Sequence, residues 1–410
     1  MSSKADLTQD VTGDLKPKLR FPEFRDAPGW EWKALEACLD YQQPTPYLVT
    51  ATNYSPTFKT PVLTAGKTFV LGYTNEEHGI FSEGLPVIIF DDFTTATQFV
   101  VFPFKAKSSA MKILQAKNGA DIKFMYETLR KISYEVGAHQ RHWISKFASI
   151  LAMVPESEEQ QKVAECLTSL DEVIAAQTQK LDALKTHKKG LMQQLFPREG
   201  ETVPRIRFPE FQAALKWEER SLGSIGSFAS GGTPSKDNPD YWNGSIPWVS
   251  ASSMYELVIE RADHYVTPLA IGNGTRIAKK GSILILVRGS MLFKRVPICV
   301  AGIDVAFNQD VKALDVNASI NTSFLLYQLS AFQSRFLINE TGIGAGKIEL
   351  DHLKGFELTI PGVPEQQRIA SCLSSLDALI TAETQKLEAL KTHKKGLMQQ
   401  LFPALEEVDA

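Results

Sequence analysis

Two segments of this chain carry leucine and isoleucine at alternating intervals of three and four residues. In residues 155–197, one heptad position holds Leu167, Ile174, Leu181, Lys188 and Leu195, and the other holds Leu170, Gln177, Leu184 and Leu191. Residues 361–403 repeat this with Leu373, Ile380, Leu387, Lys394 and Leu401 against Leu376, Glu383, Leu390 and Leu397. The spacing predicts two long helices with coiled-coil seams, and the Phe-Pro after each predicts its end.

The two helices belong to an internal repeat. LKTHKKGLMQQLFP is identical in both, at an offset of 206 residues, and the helices begin with the similar sequences PESEEQQ and PGVPEQQ. KLRFPEF at 18–24 recurs as RIRFPEF at 205–211, at an offset of 187. Residues 30–154 and 212–360 show no evident similarity to each other. A repeated framework around different regions predicts two modules with different targets, because drift after duplication, the alternative, would also have blurred the helices.

The repeats divide the chain into seven segments. These are an N-terminal arm with the first RFPEF motif (1–29), a first variable region (30–154), the first repeated helix (155–197), a linker with the second RFPEF motif (198–211), a second variable region (212–360), the second repeated helix (361–403) and a tail (404–410). Strand-like runs at 85–90, 98–104 and 282–287 alternate with helical patterns at 123–132 and 322–337. We therefore expect an α+β protein with two α/β-type domains.

We expect the two long helices to form an antiparallel intramolecular coiled coil with a pseudo-twofold repeat, since a duplicated stripe in one chain favours self-pairing over the alternative, homodimerisation. A pseudo-dyad near Asp182 would place Lys188 opposite Glu383 and Gln177 opposite Lys394. The predicted seam comprises Leu170, Ile174, Leu181, Leu184, Leu191, Leu195, Leu376, Ile380, Leu387, Leu390, Leu397 and Leu401. Its paired stretch of about 39 Å approximates one turn of duplex DNA, about 34 Å.

Composition sets limits on the function. The chain has 410 residues, 43% of them hydrophobic and 22% charged, which predicts two or three globular domains and argues against disorder. It has no apolar run long enough to cross a membrane, and its start, MSSKADLTQD, lacks a signal-peptide core, so we expect a cytoplasmic protein. Four widely spaced cysteines predict reduced thiols rather than disulfides or a zinc site. The net charge of −3 means that any nucleic-acid binding must rest on local patches.

Each variable region has such a basic patch. Residues 99–147 hold nine Lys/Arg against three acids, and residues 261–295 hold seven against one. The first set is Lys105, Lys107, Lys112, Lys117, Lys123, Arg130, Lys131, Arg141 and Lys146, and the second is Arg261, Arg276, Lys279, Lys280, Arg288, Lys294 and Arg295. Patches of this kind suit phosphate contacts, and solvated lysine faces are the alternative. The repeated helices carry a further cluster, Lys185, His187, Lys188 and Lys189, with its copy at Lys391, His393, Lys394 and Lys395, which a solvated face also explains.

Loops beside the patches offer the donors and acceptors that base recognition requires. For region one we predict DNA contacts at Thr94, Thr95, Gln98, Lys105, Lys107, Ser108, Ser109, His139, Gln140, Arg141 and Lys146. For region two we predict Arg276, Lys279, Lys280, Arg288, Ser290, Lys294, Arg295, Asn308, Gln309 and Lys347. The loop at 42–47 is a further candidate. The turn-rich segment GGTPSKDNPDYWNG at 231–244 is interpreted as a packed structural loop.

No catalytic motif is found. TGIGAGKIEL at 341–350 does not match the phosphate-binding loop, which requires Gly in place of Thr341 and Ser or Thr in place of Ile348. The Asn/Asp-Pro-Pro-Tyr/Phe tetrapeptide of amino-methyltransferases is missing, as are HExxH and GxSxG. His139 and His142 have no neighbouring Cys or carboxylate cluster to suggest a metal site. We therefore expect a chain without catalytic or metal residues.

The doubled QKLxALKTHKKGLMQQLFP helices, their PExxEQQ and PGVPEQQ starts, the RFPEF motifs and GGTPSKDNPDYWNGSIPWVS resemble the specificity subunit of type I restriction-modification enzymes. The resemblance implies that regions 30–154 and 212–360 are target recognition domains, each recognising one half of a split, asymmetric double-stranded DNA site. It also implies that the helices form a spacer and dock two methyltransferase subunits, with restriction subunits joining them. S-adenosylmethionine, ATP and magnesium would then belong to those partners, and this chain would bind none of them.

Two other functions remain open. A coiled-coil adaptor whose two domains bind proteins would lack salt-dependent DNA affinity, and the two separate basic patches argue against it. A self-sufficient methyltransferase would transfer methyl groups as the purified chain alone.

Overall fold

The computed structural model describes residues 16–64, 68–132, 143–342 and 344–403. The chain divides into two compact units: unit 1 is Met1–Gln177 with Lys386–Ala410, and unit 2 is Thr178–Gln385. Unit 1 contains the first variable region and unit 2 the second. None of the helices within the described residues is long and apolar enough to span a bilayer. All four cysteines are free thiols.

Unit 1 is built from short strands, two short helices and parts of both long helices. Its elements are β1 (Glu31–Ala34), α1 (Leu35–Cys38), β2 (Leu39–Gln42), β3 (Thr60–Leu63), β4 (Val70–Thr74), β5 (Val87–Asp91), β6 (Thr97–Val100), β7 (Lys105–Ala106), β8 (Met111–Ala116), α2 (Ile122–Lys131), β9 (Leu151–Val154) and the first half of α3 (Ser157–Leu195). One sheet has the order β2-β8-β5-β6, a second has the order β4-β3-β7, and β1 pairs with β9.

Unit 2 has more strands. The strands and helices of unit 2 are β10 (Glu218–Ser221), β11 (Gly226–Ser230), β12 (Trp242–Val249), β13 (Val258–Ile259), β14 (His264–Val266), β15 (Arg276–Ala278), β16 (Ile283–Leu286), β17 (Arg288–Gly289), β18 (Ile298–Ala301), β19 (Val305–Phe307), β20 (Val311–Val316), α4 (Thr322–Ala331), β21 (Asn339–Thr341), β22 (Ala345–Lys347), α5 (Leu350–Lys354), β23 (Glu357–Ile360) and the first part of α6 (Val363–Leu401), together with the second part of α3. The sheet orders are β11-β20-β16-β18-β13, β14-β12-β19-β15 and β17-β22-β21, and β10 pairs with β23.

The two variable regions share a topology that their sequences do not suggest. The order β2-β8-β5-β6 matches β11-β20-β16-β18, and β4-β3-β7 matches β14-β12-β19. Even the parallel pair β3 with β7 has its counterpart in β12 with β19. The helices α2 and α4, with ten residues each, follow β8 and β20. The prediction of mixed α and β content is therefore confirmed, and the different sequences occupy similar folds.

The RFPEF repeats have one structural role in both units. Arg20, which precedes the first Phe, makes a buried two-pronged contact with Glu159 in the first turn of α3, at 2.8 and 2.6 Å. Arg207 makes the same contact with Glu365 at the start of α6, at 2.8 and 2.7 Å. Such bidentate charged hydrogen bonds fix geometry as well as adding stability. The repeated Arg and the repeated Glu of PExxEQQ are thus explained as one ion pair.

The same segments also hold the end of the other long helix. The Leu19 N–H donates to the carbonyl of Gln400 near the end of α6, at 2.9 Å, and the Ile206 N–H donates to the carbonyl of Gln194 near the end of α3, at 3.0 Å. In each unit, therefore, one RFPEF segment joins the start of one long helix to the end of the other.

The glutamine after each buried Glu connects the long helix to the domain. Gln160 Oε1 accepts from the N–H of Asp121, the N-cap of α2, at 2.9 Å, and Gln366 Oε1 accepts from the N–H of Asn321, the N-cap of α4, at 2.7 Å. The cap side chains in turn accept from the backbone three residues on, which orients the first turn of each short helix. The motif thus sets the position of α2 and α4.

Both predicted long helices are confirmed, and each has 39 residues. Their seam positions are buried or half-buried. The predicted register, however, is wrong. In unit 2 Lys188 Nζ lies 2.5 Å from Asp377, and in unit 1 Lys394 Nζ lies 2.7 Å from Asp171. These partners stand six residues before the predicted Glu383 and Gln177. Because leucine recurs in every heptad, a shift of about one heptad preserves the apolar layers, and the ion pairs choose between such registers.

Candidate nucleic-acid interface

In unit 1 the loop between β5 and β6 is shaped by Asp91. Its carboxylate accepts from the N–H of Phe93 at 2.9 Å and from the hydroxyl of Thr94 at 2.7 Å. Thr95 has a φ of 60°, in the left-handed region that a tight turn requires. Phe93 and Thr94 are exposed. The turn therefore exposes the Phe93 ring and the Thr94 side chain, with the Thr94 hydroxyl bonded to Asp91.

Asp92 connects this turn to the loop before β8. Its N–H donates to the carbonyl of Ala110 at 2.9 Å, and its Oδ1 accepts from the N–H of Trp143 at 2.9 Å. Its Oδ2 is 3.2 Å from Nζ of Lys112, and these two side chains are only 1% and 0% exposed. Asp92 thereby brings together two loops, as a shared interface requires. One loop carries Thr94 and Thr95, and the other carries Lys107, Ser108 and Ser109.

Several predicted basic contacts prove to be structural. Lys105 is wrong as a phosphate contact, because its side chain is 4% exposed and its ammonium group lies 2.6 Å from Glu76 and donates to the carbonyl of His78. Hydrogen bonds from Lys105 and the backbone lower the pKa of Glu76 to about 2. Lys112 is buried with Asp92, and Lys123 is bound by Glu127 and Asp171. Sequence shows charge but not burial, so the predicted basic patch included lysines whose ammonium groups are bound to acids of the protein itself.

The other predicted contacts of unit 1 are exposed, half-buried or outside the described residues. Lys107, Ser108, Ser109 and Lys146 are exposed, whereas Gln98 is half-buried on β6 opposite Ile89. His139, Gln140 and Arg141 lie outside the described residues. In the loop at 42–47, Gln42 donates to the hydroxyl of Tyr47 at 3.0 Å, so part of this candidate serves the loop itself.

In unit 2 the equivalent strand end gathers four predicted residues. Val287, directly after β16, donates to the carbonyl of Asp310 at 2.8 Å and accepts from the N–H of Ile348 at 2.8 Å. Arg288 on β17 pairs with Lys347 on β22, and Ser290 and Gln309 follow in the adjoining turns. Arg288, Ser290 and Gln309 are exposed, and Lys347 is half-buried beside Glu349 at 2.7 Å. These residues can face a single ligand surface.

The turn at 307–310 corrects one prediction and adds a residue. Asn308 is wrong as a base contact, because it is 7% exposed and its Oδ1 accepts from the N–H of Asp310 at 3.1 Å. Gln309 is exposed and accepts from the hydroxyl of Thr233 at 2.8 Å. Sequence reasoning missed Thr233, which lies in the GGTPS segment. Only the contact across 76 residues of sequence reveals its place beside Gln309.

The glycines of that segment confirm its structural role. A Cβ on Gly231 would lie 2.1 Å from the carbonyl oxygen of Phe307, and one on Gly232 would lie 2.1 Å from that of Gly274. The indole N–H groups of Trp242 and Trp248 donate to the carbonyls of Ser235 and Gly232. The close backbone approach and the two indoles hold the segment against the 307–310 turn.

The remaining basic residues of unit 2 fall in different places. Arg276 pairs with Phe307 in β19 and so lies near the 307–310 turn. Lys279 is 2.8 Å from Asp304 at the opposite end of β19, with Lys280 beside it. Lys294 and Arg295 are both exposed, and Arg295 also donates to the carbonyl of Met254 at 3.0 Å. The structure therefore does not bring Lys279 and Lys280 to the cluster around Arg288.

Among the residues that the structure describes, no group of three or more His, Cys, Asp or Glu side chains is arranged to hold a metal ion. In the TGIGAGKIEL segment, which failed as a phosphate-binding loop, Thr341 and Ala345–Lys347 belong to the paired strands β21 and β22. Chemically, the two clusters offer hydroxyls, amides and cations. They are suited to hydrogen bonding and phosphate contact.

Comparison with known proteins agrees with this arrangement. Residues 215–392 match the family model described as the type I restriction modification DNA specificity domain. The Escherichia coli type I restriction enzyme EcoR124I/EcoR124II specificity subunit is 36% identical over 374 residues, which cover 87% of this chain and 89% of that protein. The crystal structure of the S subunit of an M. genitalium type I system has a TM-score of 0.62 at 15% identity, covering 95% of this chain and 100% of that one.

A second solved structure, from work on complex assembly and conformational transition of the type I system, has a TM-score of 0.53 at 16% identity and covers 92% of this chain and 98% of that one. These structural likenesses show a shared fold. The family model and the Escherichia coli relative define this chain, with its two domains of one topology on a repeated helical framework, as a DNA sequence-recognition subunit. The chain belongs to the family of type I restriction enzyme specificity subunits, whose members are the non-catalytic components of those enzymes.

Proposed function

We propose that the chain recognises a bipartite, asymmetric DNA site, with unit 1 contacting one half and unit 2 the other. The observation that carries this proposal is the correspondence of the two candidate clusters. Asp92 bonded to Ala110 in unit 1 and Val287 bonded to Asp310 in unit 2 stand at equivalent strand ends of one topology. The side chains around them differ, as two modules for different base sequences require.

The two long helices form an antiparallel intramolecular coiled coil with a pseudo-twofold repeat, which sets the spacing between the two half-sites. Equivalent contacts in the two units support this: Lys188 with Asp377 and Lys394 with Asp171, each joining the end part of one helix to the start of the other. Adding a heptad to both helices should lengthen the DNA spacer. An unchanged methylated site would refute the proposed role of the helices.

The chain also serves as the scaffold for two methyltransferase subunits and for restriction subunits. Those partners hold S-adenosylmethionine, ATP and magnesium, and this chain performs no chemistry itself. Family membership and the missing methyltransferase tetrapeptide support this division of labour. Methyl transfer to DNA by the purified chain alone would refute it.

Salt dependence of DNA binding tests the recognition function. Phosphate contacts release counterions, so the logarithm of the binding constant should fall with the logarithm of salt concentration, with a slope of about −0.9 per neutralised phosphate. A gel-shift series with the full chain in its methyltransferase complex measures this slope. A flat response would favour the alternative, a protein-binding adaptor.

A further inference from the structure

Asp92 is a buried carboxylate in the middle of the candidate interface of unit 1. An exposed acid there would repel phosphate, but this side chain is 1% exposed and faces Lys112, which is 0% exposed. Burying both charges is costly, and removing one of them would leave the other uncompensated. Lys112 is therefore committed to Asp92 and is not available for DNA.

Three separate parts of the domain are in contact at Asp92. Asp92 begins the turn that presents Phe93 and Thr94, and its N–H bonds to Ala110 at the end of the loop that presents Ser108 and Ser109. Its Oδ1 accepts the N–H of Trp143, whose ring also packs on Phe90 of β5 with centroids 5.2 Å apart. The main-chain N–H of Asp92 thus joins the two loops, and its carboxylate fixes them against a third backbone segment, at Trp143.

The equivalent position of unit 2 makes the same connection differently. Strand pairing aligns Asp91 and Met111 with Leu286 and Val311, so Asp92 corresponds to Val287. The N–H of Val287 donates to the carbonyl of Asp310 in the neighbouring loop, as the N–H of Asp92 does to Ala110. The acceptor for the third segment is the carbonyl of Val287 itself, which accepts from the N–H of Ile348. Unit 1 uses a side-chain oxygen where unit 2 uses the main chain. A main-chain bond survives any substitution except proline, whereas the bond in unit 1 depends on residue 92.

We propose that Asp92 is a positioning residue for the first half-site: its main-chain N–H joins the loops 93–96 and 107–110, and its buried carboxylate, neutralised by Lys112, fixes the placement of both loops against the backbone at Trp143. This inference rests on the proposed function of unit 1. Asp92 itself touches no base. Its loss shifts the residues that do, and only in unit 1.

The test compares two double variants in which the buried charge pair is removed from both. Asp92→Asn with Lys112→Met keeps an oxygen acceptor for the Trp143 N–H, and Asp92→Ala with Lys112→Met does not. Neither leaves an unpaired buried charge, so the difference between them reports the loss of the acceptor together with the smaller volume of Ala. Glu36→Gln, at an exposed carboxylate of α1, is the surface control.

Competition gel shifts with the full chain in its methyltransferase complex measure discrimination between the correct site and sites with one base changed in either half. We expect the Asn pair to discriminate the first half within about threefold of wild type, and the Ala pair to lose about tenfold there. Discrimination in the second half should stay unchanged in both and provides the internal control for folding. Asp92→Val with Lys112→Met, which restores side-chain volume without an acceptor, should show the same loss if the Ala pair does not fold.

Wild-type discrimination of the first half by the Ala pair would overturn the inference, as would equal losses in both halves. Failure of the proposed function would look different, because the wild-type complex would then discriminate in neither half.

Discussion

The two units surround the same repeated lysine of the long helices with different partners. In unit 1 Lys394 lies 3.0 Å from the fully buried Glu127 of α2 and 2.7 Å from Asp171. In unit 2 Lys188 lies 2.5 Å from Asp377 and 4.9 Å from the ring centre of Tyr327 on α4, whose hydroxyl donates to Asp377. The Lys–Asp pair is common to both units, and each domain adds its own third partner. An unchanging framework can therefore carry domains of different sequence.

The RFPEF arginines should give the largest effects, and equal ones in the two units. Arg20→Met leaves Glu159 buried without its cation, and Arg207→Met does the same to Glu365. Each change should cost about 3–5 kcal/mol of unfolding free energy. Urea denaturation measures the loss, and Arg25→Met, at an exposed arginine, is the control. A loss below about 1 kcal/mol in either unit would break the equivalence.

The repeated lysines should give unequal effects. Lys394→Met removes one cation from the buried Glu127, which still has Lys123 and Arg130 as partners. The substitution should therefore cost about 2–3 kcal/mol of unfolding free energy. Lys188→Met leaves Asp377 with the Tyr327 hydroxyl and should cost about 1 kcal/mol. Hydrogen exchange in α2 and α4 measures the two losses separately. Equal losses would mean that the domain partner does not matter.

Specificity should change in one half-site at a time. Arg288→Ala removes an exposed cation from the unit 2 cluster and should reduce discrimination of the second half by about tenfold. Lys279→Ala, at the opposite end of β19, is the matched control and should leave discrimination unchanged. Gel shifts with single-base variants of each half measure both. A comparable loss in the first half would contradict independent recognition.

Acid should weaken unit 1 slightly through Asp171. Burial raises the pKa of this carboxyl, but hydrogen bonds from Lys123 and Lys394 outweigh it and hold the pKa below its usual range. The ionised form therefore stabilises the fold above the unfolded pKa of about 3.9, and this is lost as pH falls through the folded pKa. Asp171 is partly exposed, so the effect should be under about 1 kcal/mol. Asp171→Asn should remove it from stability curves between pH 7 and 3, and an unchanged acid slope would contradict this.

Periodicity predicted much of the framework and little of the domains. The 3–4 spacing of leucines locates both long helices to within about two residues at each end, because it reflects burial directly. It does not select the register, since each heptad is nearly equivalent, and Asp171 and Asp377 stood outside the predicted seam. The shared domain topology was not predictable, because short strands with different sequences carry no information on their order.

The candidate site was partly predictable for a related reason. The structure places Thr94 and Ser108 in neighbouring exposed loops of unit 1, and Arg288 and Gln309 in neighbouring exposed turns of unit 2, and their predicted contacts with DNA stay predictions. Charge alone misled at Lys105, which the fold buries, and amide chemistry misled at Asn308, which closes a turn. Whether a polar side chain serves the protein or a ligand depends on neighbours distant in sequence.

The central claim is that each variable region recognises its own half of the site on a common framework. Replacing residues 30–154 with the corresponding region of another family member, followed by sequencing of methylated sites in cells with the complete system, tests it most directly. The account predicts a new first half, an unchanged second half and the same spacer. Changed bases in both halves, or an unchanged site, would contradict it.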